Sequence, residues 1–82
     1  MAIKVYLFTD PECTVACDRA REMLRSYFET GEVEEMDIGE GLKRFNLGEP
    51  AGVPFLGVIA ESTKECIAQV YIAEDNEGNE NQ

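Results

Sequence analysis

Histidine is absent from this chain, and positively charged side chains are scarce. The 82 residues include 17 acidic and 7 basic ones, which gives a formal net charge of -10. Such a surface repels phosphate groups, so nucleic acids and anionic membranes are disfavoured as partners, whereas a basic docking surface is favoured. Residues 74–82 contain no base and no apolar side chain. This composition predicts one domain at residues 1–73, followed by a disordered acidic tail at 74–82.

Long apolar runs are also missing. No segment approaches the roughly 18 apolar residues of a membrane-spanning helix. The first residues lack the apolar core and the small-residue cleavage site of a signal peptide. These features predict a small, soluble, cytoplasmic and monomeric protein, with room for a single hydrophobic core region.

The chain has three cysteines, and this odd number disfavours a purely structural disulfide framework. Cys13 and Cys17 stand four residues apart, and in the cytoplasm such a pair is more often catalytic, redox-sensing or metal-binding than structural. Cys66 falls in an apolar run, where a buried core thiol is the simplest interpretation.

The first half of the chain has the pattern of a βαβ unit. Residues 3–8 are apolar on both faces of a strand, which is typical of a central strand. Residues 14–30 have apolar side chains at helical spacing, and Gly31 suits the left-handed position that ends a helix. Residues 33–38 are less apolar, which predicts a second strand near an edge and parallel to the first.

The second half predicts a short helix and a hairpin. Residues 42–47 have the composition of a short helix that ends at Gly48. Two apolar runs, residues 55–60 and 66–72, flank a polar connection and predict an antiparallel hairpin. The expected fold is therefore α/β, with element order β-α-β-α-β-β and a four-stranded mixed sheet in the order 2-1-3-4.

The turn between the first strand and the first helix contains the cysteine pair. Asp10 is a good helix N-cap and Pro11 is tolerated at the first helical position, so the helix could begin at Pro11 or nearer Cys13. A helix N-terminus favours the thiolate of Cys13. The acidic side chains of Asp10, Glu12 and Asp18 oppose this effect, which predicts at most a modestly lowered pKa.

Cys17 has two interpretations. Residues i and i+4 of a helix lie about 6 Å apart at Cα, within the range of about 4.4–6.8 Å that a disulfide spans, so a bond to Cys13 is feasible. Alternatively, Cys17 is a structural thiol, because it falls on the apolar helix face beside Ala20, Leu24 and Phe28.

Several short motifs, taken in chain order, resemble the glutaredoxin branch of the thioredoxin superfamily over residues 2–72. They are the strand at 3–8, Thr9-Asp10-Pro11-Glu12-Cys13, Ala20-Arg21-Glu22-Met23-Leu24, Met36-Asp37-Ile38, Gly52-Val53-Pro54-Phe55 and the terminal hairpin. The resemblance implies a thiol–disulfide oxidoreductase that acts on protein disulfides or thiols and is returned to its reduced form by a reductase. It further implies that Cys13 is the nucleophile, Cys17 the resolving thiol, and Val53-Pro54 a cis bond in the loop that guides the substrate.

The sequence departs from this family in three ways. The usual C-x-x-C motif is one residue longer here, so either the turn carries an insertion, or Ala16 takes the resolving position and Cys17 is an extra thiol. The basic residue and turn motif that hold glutathione are missing, so no cofactor is expected, with glutathione as the alternative. The closing C-terminal helix is also missing, which predicts a trimmed version of the fold.

Two other functions fit the same residues. The C-x3-C spacing resembles the copper site of Sco-type assembly proteins, and soft thiolates suit Cu(I) or Zn. Those proteins add a histidine, so here Cys66, a carboxylate or a second chain would have to complete the site; no residue is assigned as a metal ligand. The other alternative is a thioredoxin-like interaction module without turnover, whose acidic face binds a basic partner.

Overall fold

The computed structural model describes residues 2–72 of the chain, and these residues form four strands and three helices. The elements, in chain order, are β1 (Ile3–Thr9), α1 (Val15–Met23), α2 (Arg25–Thr30), β2 (Val33–Asp37), α3 (Ile38–Arg44), β3 (Phe55–Ala60) and β4 (Glu65–Tyr71). The acidic tail predicted at residues 74–82 lies outside the described residues.

The four strands form one mixed sheet in the order β2-β1-β3-β4. β1 is parallel to β2 and antiparallel to β3, and β3 is antiparallel to β4. Leu7 and Phe8, neighbours on β1, are both fully buried, because successive side chains of a strand point to opposite faces and both faces are covered here. The predicted α/β class, the strand order and the terminal hairpin are confirmed.

The first helical region differs from its predicted form. The expected continuous helix over residues 14–30 is interrupted at Leu24, which separates α1 from α2 and has φ -104° and ψ 12°. The amide of Tyr27 then donates to the carbonyl of Leu24, a tighter, three-residue hydrogen bond that is common at helix ends. Gly31 ends α2 with φ 83°, as predicted.

The short helix after β2 begins four residues earlier than the sequence pattern predicts. Asp37 caps α3, because its carboxylate accepts hydrogen bonds from the amides of Gly39 (2.9 Å) and Glu40 (3.4 Å). The helix ends at Arg44, and Phe45 is already extended, with φ -131° and ψ 158°. The apolar residues after Lys43 were therefore wrongly assigned to a helix.

Two clusters of apolar side chains cover the two faces of the sheet. On the face against α1 and α2, here the α1 face, Leu7, Ala20 and Val33 form the buried cluster. The opposite face, here the α3 face, has the larger cluster: Phe8, Phe45, Leu47, Phe55 and Ile59. The turn at residues 10–14 follows the carboxyl end of β1, the strand that contributes Leu7 and Phe8 to the two clusters.

The ring of Phe8 lies between two glycines that permit its close approach. A Cβ on Gly57 of β3 would lie 2.7 Å from Cε2 of that ring, and a Cβ on Gly41 of α3 would lie 2.8 Å from Cδ1. Carbon atoms do not approach so closely without displacement, so α3 can pack this near the sheet only because residue 41 lacks a side chain. No helix within residues 2–72 has the length and apolarity needed to cross a membrane.

Candidate functional site

A hydrogen-bonded turn connects β1 to α1 and positions Cys13. The carboxylate of Asp10 accepts the amide hydrogen of Glu12 at 2.8 Å, and the amide of Cys13 donates to the carbonyl of Asp10 at 2.9 Å. Asp10 therefore stabilises a turn, in the manner of an Asx motif, and does not cap the helix as predicted. The N-cap is Thr14, whose side chain makes no capping hydrogen bond, and Cys13 immediately precedes it.

Cys13 and Cys17 form a disulfide, with their Cα atoms 5.7 Å apart. This separation agrees with the distance expected for residues i and i+4. The sulfur of Cys13 is therefore bonded to Cys17, five residues into the motif, and not to a residue at the position of Ala16. We refer to residues 10–17, which include the turn and this disulfide, as the thiol turn.

The two sulfur-bearing residues differ in exposure. Cys13 is half-buried in the turn, whereas Cys17 is fully buried in the first turns of α1. The buried position of Cys17 follows from helical spacing, since Ala20 and Leu24 lie on the same inward face and pack on the α1 face of the sheet. A reagent from solution therefore reaches Cys13 more readily than Cys17.

An ion pair network joins α1 to the edge strand β2. The guanidinium of Arg21 donates from Nε to both carboxylate oxygens of Glu35 (2.9 and 3.0 Å) and from its second terminal nitrogen to Oε2 (2.8 Å). The hydroxyl of Thr9, the last residue of β1, donates to the same oxygen at 2.9 Å. The hydrogen bonds from Arg21 lower the pKa of Glu35, against the raising effect of partial burial, and the bond from Thr9 lowers it further.

Two of the three acidic side chains that were expected to oppose ionisation of Cys13 have partners of their own. Asp18, which was expected to oppose ionisation of Cys13, pairs with Arg21 at 2.6 Å. The carboxylate of Asp10 accepts an amide hydrogen bond within the turn. Arg21 stands four residues after Cys17 and so lies on the same side of α1. This spacing in the sequence could have indicated that Arg21 lies near the thiol turn. Its partner Glu35 could not be identified without the strand register.

The structure places Val53 and Pro54 at the same end of the sheet as the thiol turn. Phe55 is the register partner of Phe8, so Pro54 lies next to the end of β1, where the turn begins. Pro54 is buried, and Val53 is half-buried and packs against the cluster on the α3 face. The Val53-Pro54 peptide bond is cis, as the resemblance implies.

Two side chains of β4 hold the segment that leads to Val53-Pro54. Gln69 donates from Nε2 to the carbonyl of Leu47 at 2.9 Å, and the hydroxyl of Tyr71 donates to Oε1 of Gln69 at 2.8 Å. The same hydroxyl accepts the amide hydrogen of Ala51 at 2.8 Å. The sequence pattern did not reveal this role, because Gln69 and Tyr71 alternate with apolar residues as in any half-buried strand.

Cys66 lies apart from the cysteine pair. It packs against the cluster on the α3 face, whereas Cys17 lies in α1 on the other side of the sheet. Its thiol donates to the carbonyl of Ala68 at 3.3 Å. The side chain has the predicted contact with the core but is half-buried, not fully buried. Among residues 2–72, no group of three or more histidine, cysteine or acidic side chains is placed to hold a metal ion.

No protein-family model, curated protein or solved structure matches this chain. Its function must therefore be inferred from the thiol turn and its surroundings. The turn contains an accessible half-cystine, Cys13, bonded to a buried one, Cys17, at the carboxyl end of a central strand. This is the end at which open α/β sheets commonly place their functional sites.

Proposed function

We propose that this protein is a thiol–disulfide oxidoreductase with a trimmed thioredoxin-like fold, most similar to the glutaredoxin branch. The observation that carries the proposal is the Cys13–Cys17 disulfide, which joins an accessible residue before α1 to a buried residue within it. Structural disulfides have no need for this asymmetry, whereas exchange chemistry needs one sulfur that the substrate can reach and a second that it cannot.

The reaction transfers two electrons from the dithiol form of the protein to a substrate disulfide. The thiolate of Cys13 attacks one substrate sulfur, which forms a mixed disulfide and expels the other substrate sulfur as a thiolate that takes up a proton. The thiolate of Cys17 then attacks the sulfur of Cys13. This step forms the Cys13–Cys17 disulfide and releases the second substrate thiol, so the substrate is reduced and the protein is oxidised.

A separate dithiol reductant must return the protein to its reduced form. We propose a reductase or a second dithiol protein in the cytoplasm, because the sequence lacks the motif that would hold glutathione. Its attack reverses the sequence: a mixed disulfide forms at the accessible sulfur of Cys13, and the buried thiolate of Cys17 is the leaving group. No bound cofactor takes part in this cycle.

The cysteine positions support the two roles. Cys13 is the attacking residue because it is accessible and lies directly before the N-terminus of α1, where backbone amides favour a thiolate. Cys17 is the resolving residue because its Cα lies 5.7 Å from that of Cys13 and its side chain is fully buried.

The proline loop supports a substrate-binding role next to the pair. Val53 and Pro54 lie beside the end of β1, and the hydrogen bonds of Ala51 and Leu47 to β4 hold the segment before them. We propose that the half-buried backbone at Val53 guides the substrate chain towards Cys13. A substrate with a basic docking surface is favoured by the net charge of the chain.

The proposal is tested by replacing each cysteine in turn and following reduction of a chromogenic aromatic disulfide by the reduced protein. Cys13→Ser should abolish the fast reaction. Cys17→Ser should keep the first attack but accumulate the mixed disulfide on Cys13, which intact-mass measurement detects as an adduct.

Cys66→Ser is the matched control, because Cys66 lies on the opposite side of the sheet and should not affect either step. An adduct that forms on Cys17 in the Cys13→Ser variant at the wild-type rate would reverse the assigned roles. Equal reactivity of the wild-type and Cys13→Ser proteins would refute the proposed activity.

A further inference from the structure

The α1 face of the sheet is well covered over the centre of β1 and partly covered over β3, where Leu56 packs against the buried cluster. It is open along β4 as far as Ile72, which packs against the same cluster. Strand register places Leu56 opposite Leu7 and Val70 opposite Leu56, so all three side chains are on this face. Leu7 is fully buried and Leu56 half-buried, whereas Val70 is 54% exposed. Cover is therefore lost progressively from the central strand to the β4 edge.

A second row of side chains repeats this trend. Val58 pairs with Val5 on one side and with Ala68 on the other, again on the α1 face. Val58 is half-buried and Ala68 is exposed. Ile3, which alternates with Val5 and so shares its face, is 52% exposed.

Helix α1 borders this open region with another apolar side chain. Arg21 points towards β2, where it binds Glu35. Met23 follows two residues later, about 200° further around the helix, and so lies on the flank towards β3. It is 66% exposed. We call the combined surface the open apolar face; its members are Ile3, Met23, Leu56, Val58, Ala68 and Val70.

The segment at residues 73–82 does not have the composition to cover this face. Residues 73–82 contain a single alanine and no larger apolar side chain. A second copy of the chain is also disfavoured, because each copy has a net charge of -10 and like charges would meet around a paired apolar face. The net charge of -10 instead favours a segment of opposite charge as the occupant.

The charges next to the open apolar face indicate the chemistry of that partner. The hairpin end of β4 contains Glu61 and Glu65 against one base, Lys64, and Glu65 is the register partner of Ala60. A partner segment with lysine or arginine on its flanks complements this acidic end and the net charge of -10.

We propose that the open apolar face binds an amphipathic helix of a partner protein, with an apolar stripe against β3 and β4 and basic residues along its flanks. A helix fits because α1 already occupies the neighbouring half of the same face, and helices in one layer pack 8–10 Å apart. The helix of the partner completes the layer that α1 and α2 begin. This interaction is independent of disulfide exchange at Cys13.

The test uses two synthetic helical peptides of about 18 residues, roughly five turns. Both have a leucine stripe; one has lysine and the other glutamate on its flanks. The lysine peptide should bind, and the shifts of backbone amide resonances should centre on Leu56, Val58 and Val70. The glutamate peptide should not bind measurably.

Val70→Glu should weaken binding of the lysine peptide about tenfold or more, since burial of a valine stabilises by about 1.5 kcal/mol or more. The matched control is Leu42→Glu, which makes the same change of charge at a side chain on α3 that is 51% exposed and lies on the other side of the sheet. This variant should bind as well as the wild type. If Val70→Glu is poorly folded, Val70→Thr should still weaken binding several-fold.

Equal loss of binding in Val70→Glu and Leu42→Glu would overturn the proposal, because attraction to net charge alone would then explain it. A concentration-dependent dimer in sedimentation, dissociated by Val70→Glu, would also overturn it and assign the face to a second copy. Loss of disulfide exchange in Cys13→Ser with unchanged peptide binding would keep the two proposals separate.

Discussion

At the scale of single residues, the two cysteines of the pair differ because α1 begins between them. Cys13 belongs to a turn and is half-buried, whereas Cys17 belongs to the inward row of the helix and is fully buried. The sequence predicted the pair, its spacing and the apolar neighbours of Cys17. It could not predict whether the bond forms, because the signals at Asp10 and Pro11 allowed the helix to begin before Cys13.

Gly41 provides a test of the packing that supports this site. Gly41→Ala should destabilise the protein, because the new Cβ would clash with the fully buried ring of Phe8. Gly39→Ala is the matched control on the same helix, since its Cβ would meet only the carboxylate of Asp37, whose shift weakens the helix cap but leaves the packing of Phe8 unchanged. Both alanines gain helix propensity, so the difference between the variants should be about 1–3 kcal/mol in denaturant unfolding. Equal stability would contradict the packing described for Phe8.

Glu35 contributes to a loss of folding stability at acid pH. Its pKa is lowered in the folded protein, chiefly by the hydrogen bonds from Arg21. A lowered pKa means that the contribution is complete above the usual value of 4.5 and is lost as pH falls through the lowered value. Glu35→Gln should therefore cost about 0.5–1 kcal/mol at neutral pH, with allowance for solvent screening, and should reduce the loss of stability on acidification.

Glu34→Gln is the control for Glu35→Gln, because Glu34 neighbours Glu35 on β2 and binds Lys4 at 2.7 Å through a side chain that is 53% exposed. Stability should be followed by thermal unfolding between neutral and strongly acid pH. If both variants keep the full acid dependence of the wild type, the Arg21–Glu35 pair does not contribute as described.

At the scale of secondary structure elements, strands were easier to predict than helices. The apolar runs at 3–8, 55–60 and 66–72 predicted β1, β3 and β4 to within one residue or so, because strand burial in this sheet follows the local pattern. The helices depended on tertiary contacts. Leu24 separates α1 from α2. The cap at Asp37 starts α3 early, and Phe45 and Leu47 follow the end of this helix and pack on the α3 face.

The hydrogen bonds between β4 and the segment before Val53-Pro54 can be tested by removing one hydroxyl group. Tyr71→Phe keeps the ring contact with Phe55, whose centroid lies 5.4 Å away, but removes the hydrogen bonds to Ala51 and Gln69. Hydrogen exchange at the Ala51 amide should accelerate, and stability should fall by about 0.5–1.5 kcal/mol. Tyr27→Phe, at a 48% exposed position on α2, should change neither quantity. Unchanged exchange at Ala51 in Tyr71→Phe would show that the loop is held by other contacts.

At the scale of the whole molecule, two asymmetries organise the described residues. The thiol turn and the Val53-Pro54 bond lie at one end of the sheet, and the cover of the α1 face decreases from β1 through β3 to β4. The sequence predicted the first asymmetry through motif order. The second asymmetry could be recognised only from the strand register. Leu56 and Val70 are both apolar in the sequence, but Leu56 is half-buried on β3 and Val70 is exposed on β4.

The central claim is that Cys13 is the reactive thiol of a redox pair. The most direct measurement is the rate at which each cysteine of the reduced, folded protein is alkylated by iodoacetamide near neutral pH, determined by peptide mass. Cys13 should react faster than free cysteine, and faster than both Cys17 and Cys66 in the same molecule. If neither Cys13 nor Cys17 reacts faster than free cysteine, the pair is not an exchange site.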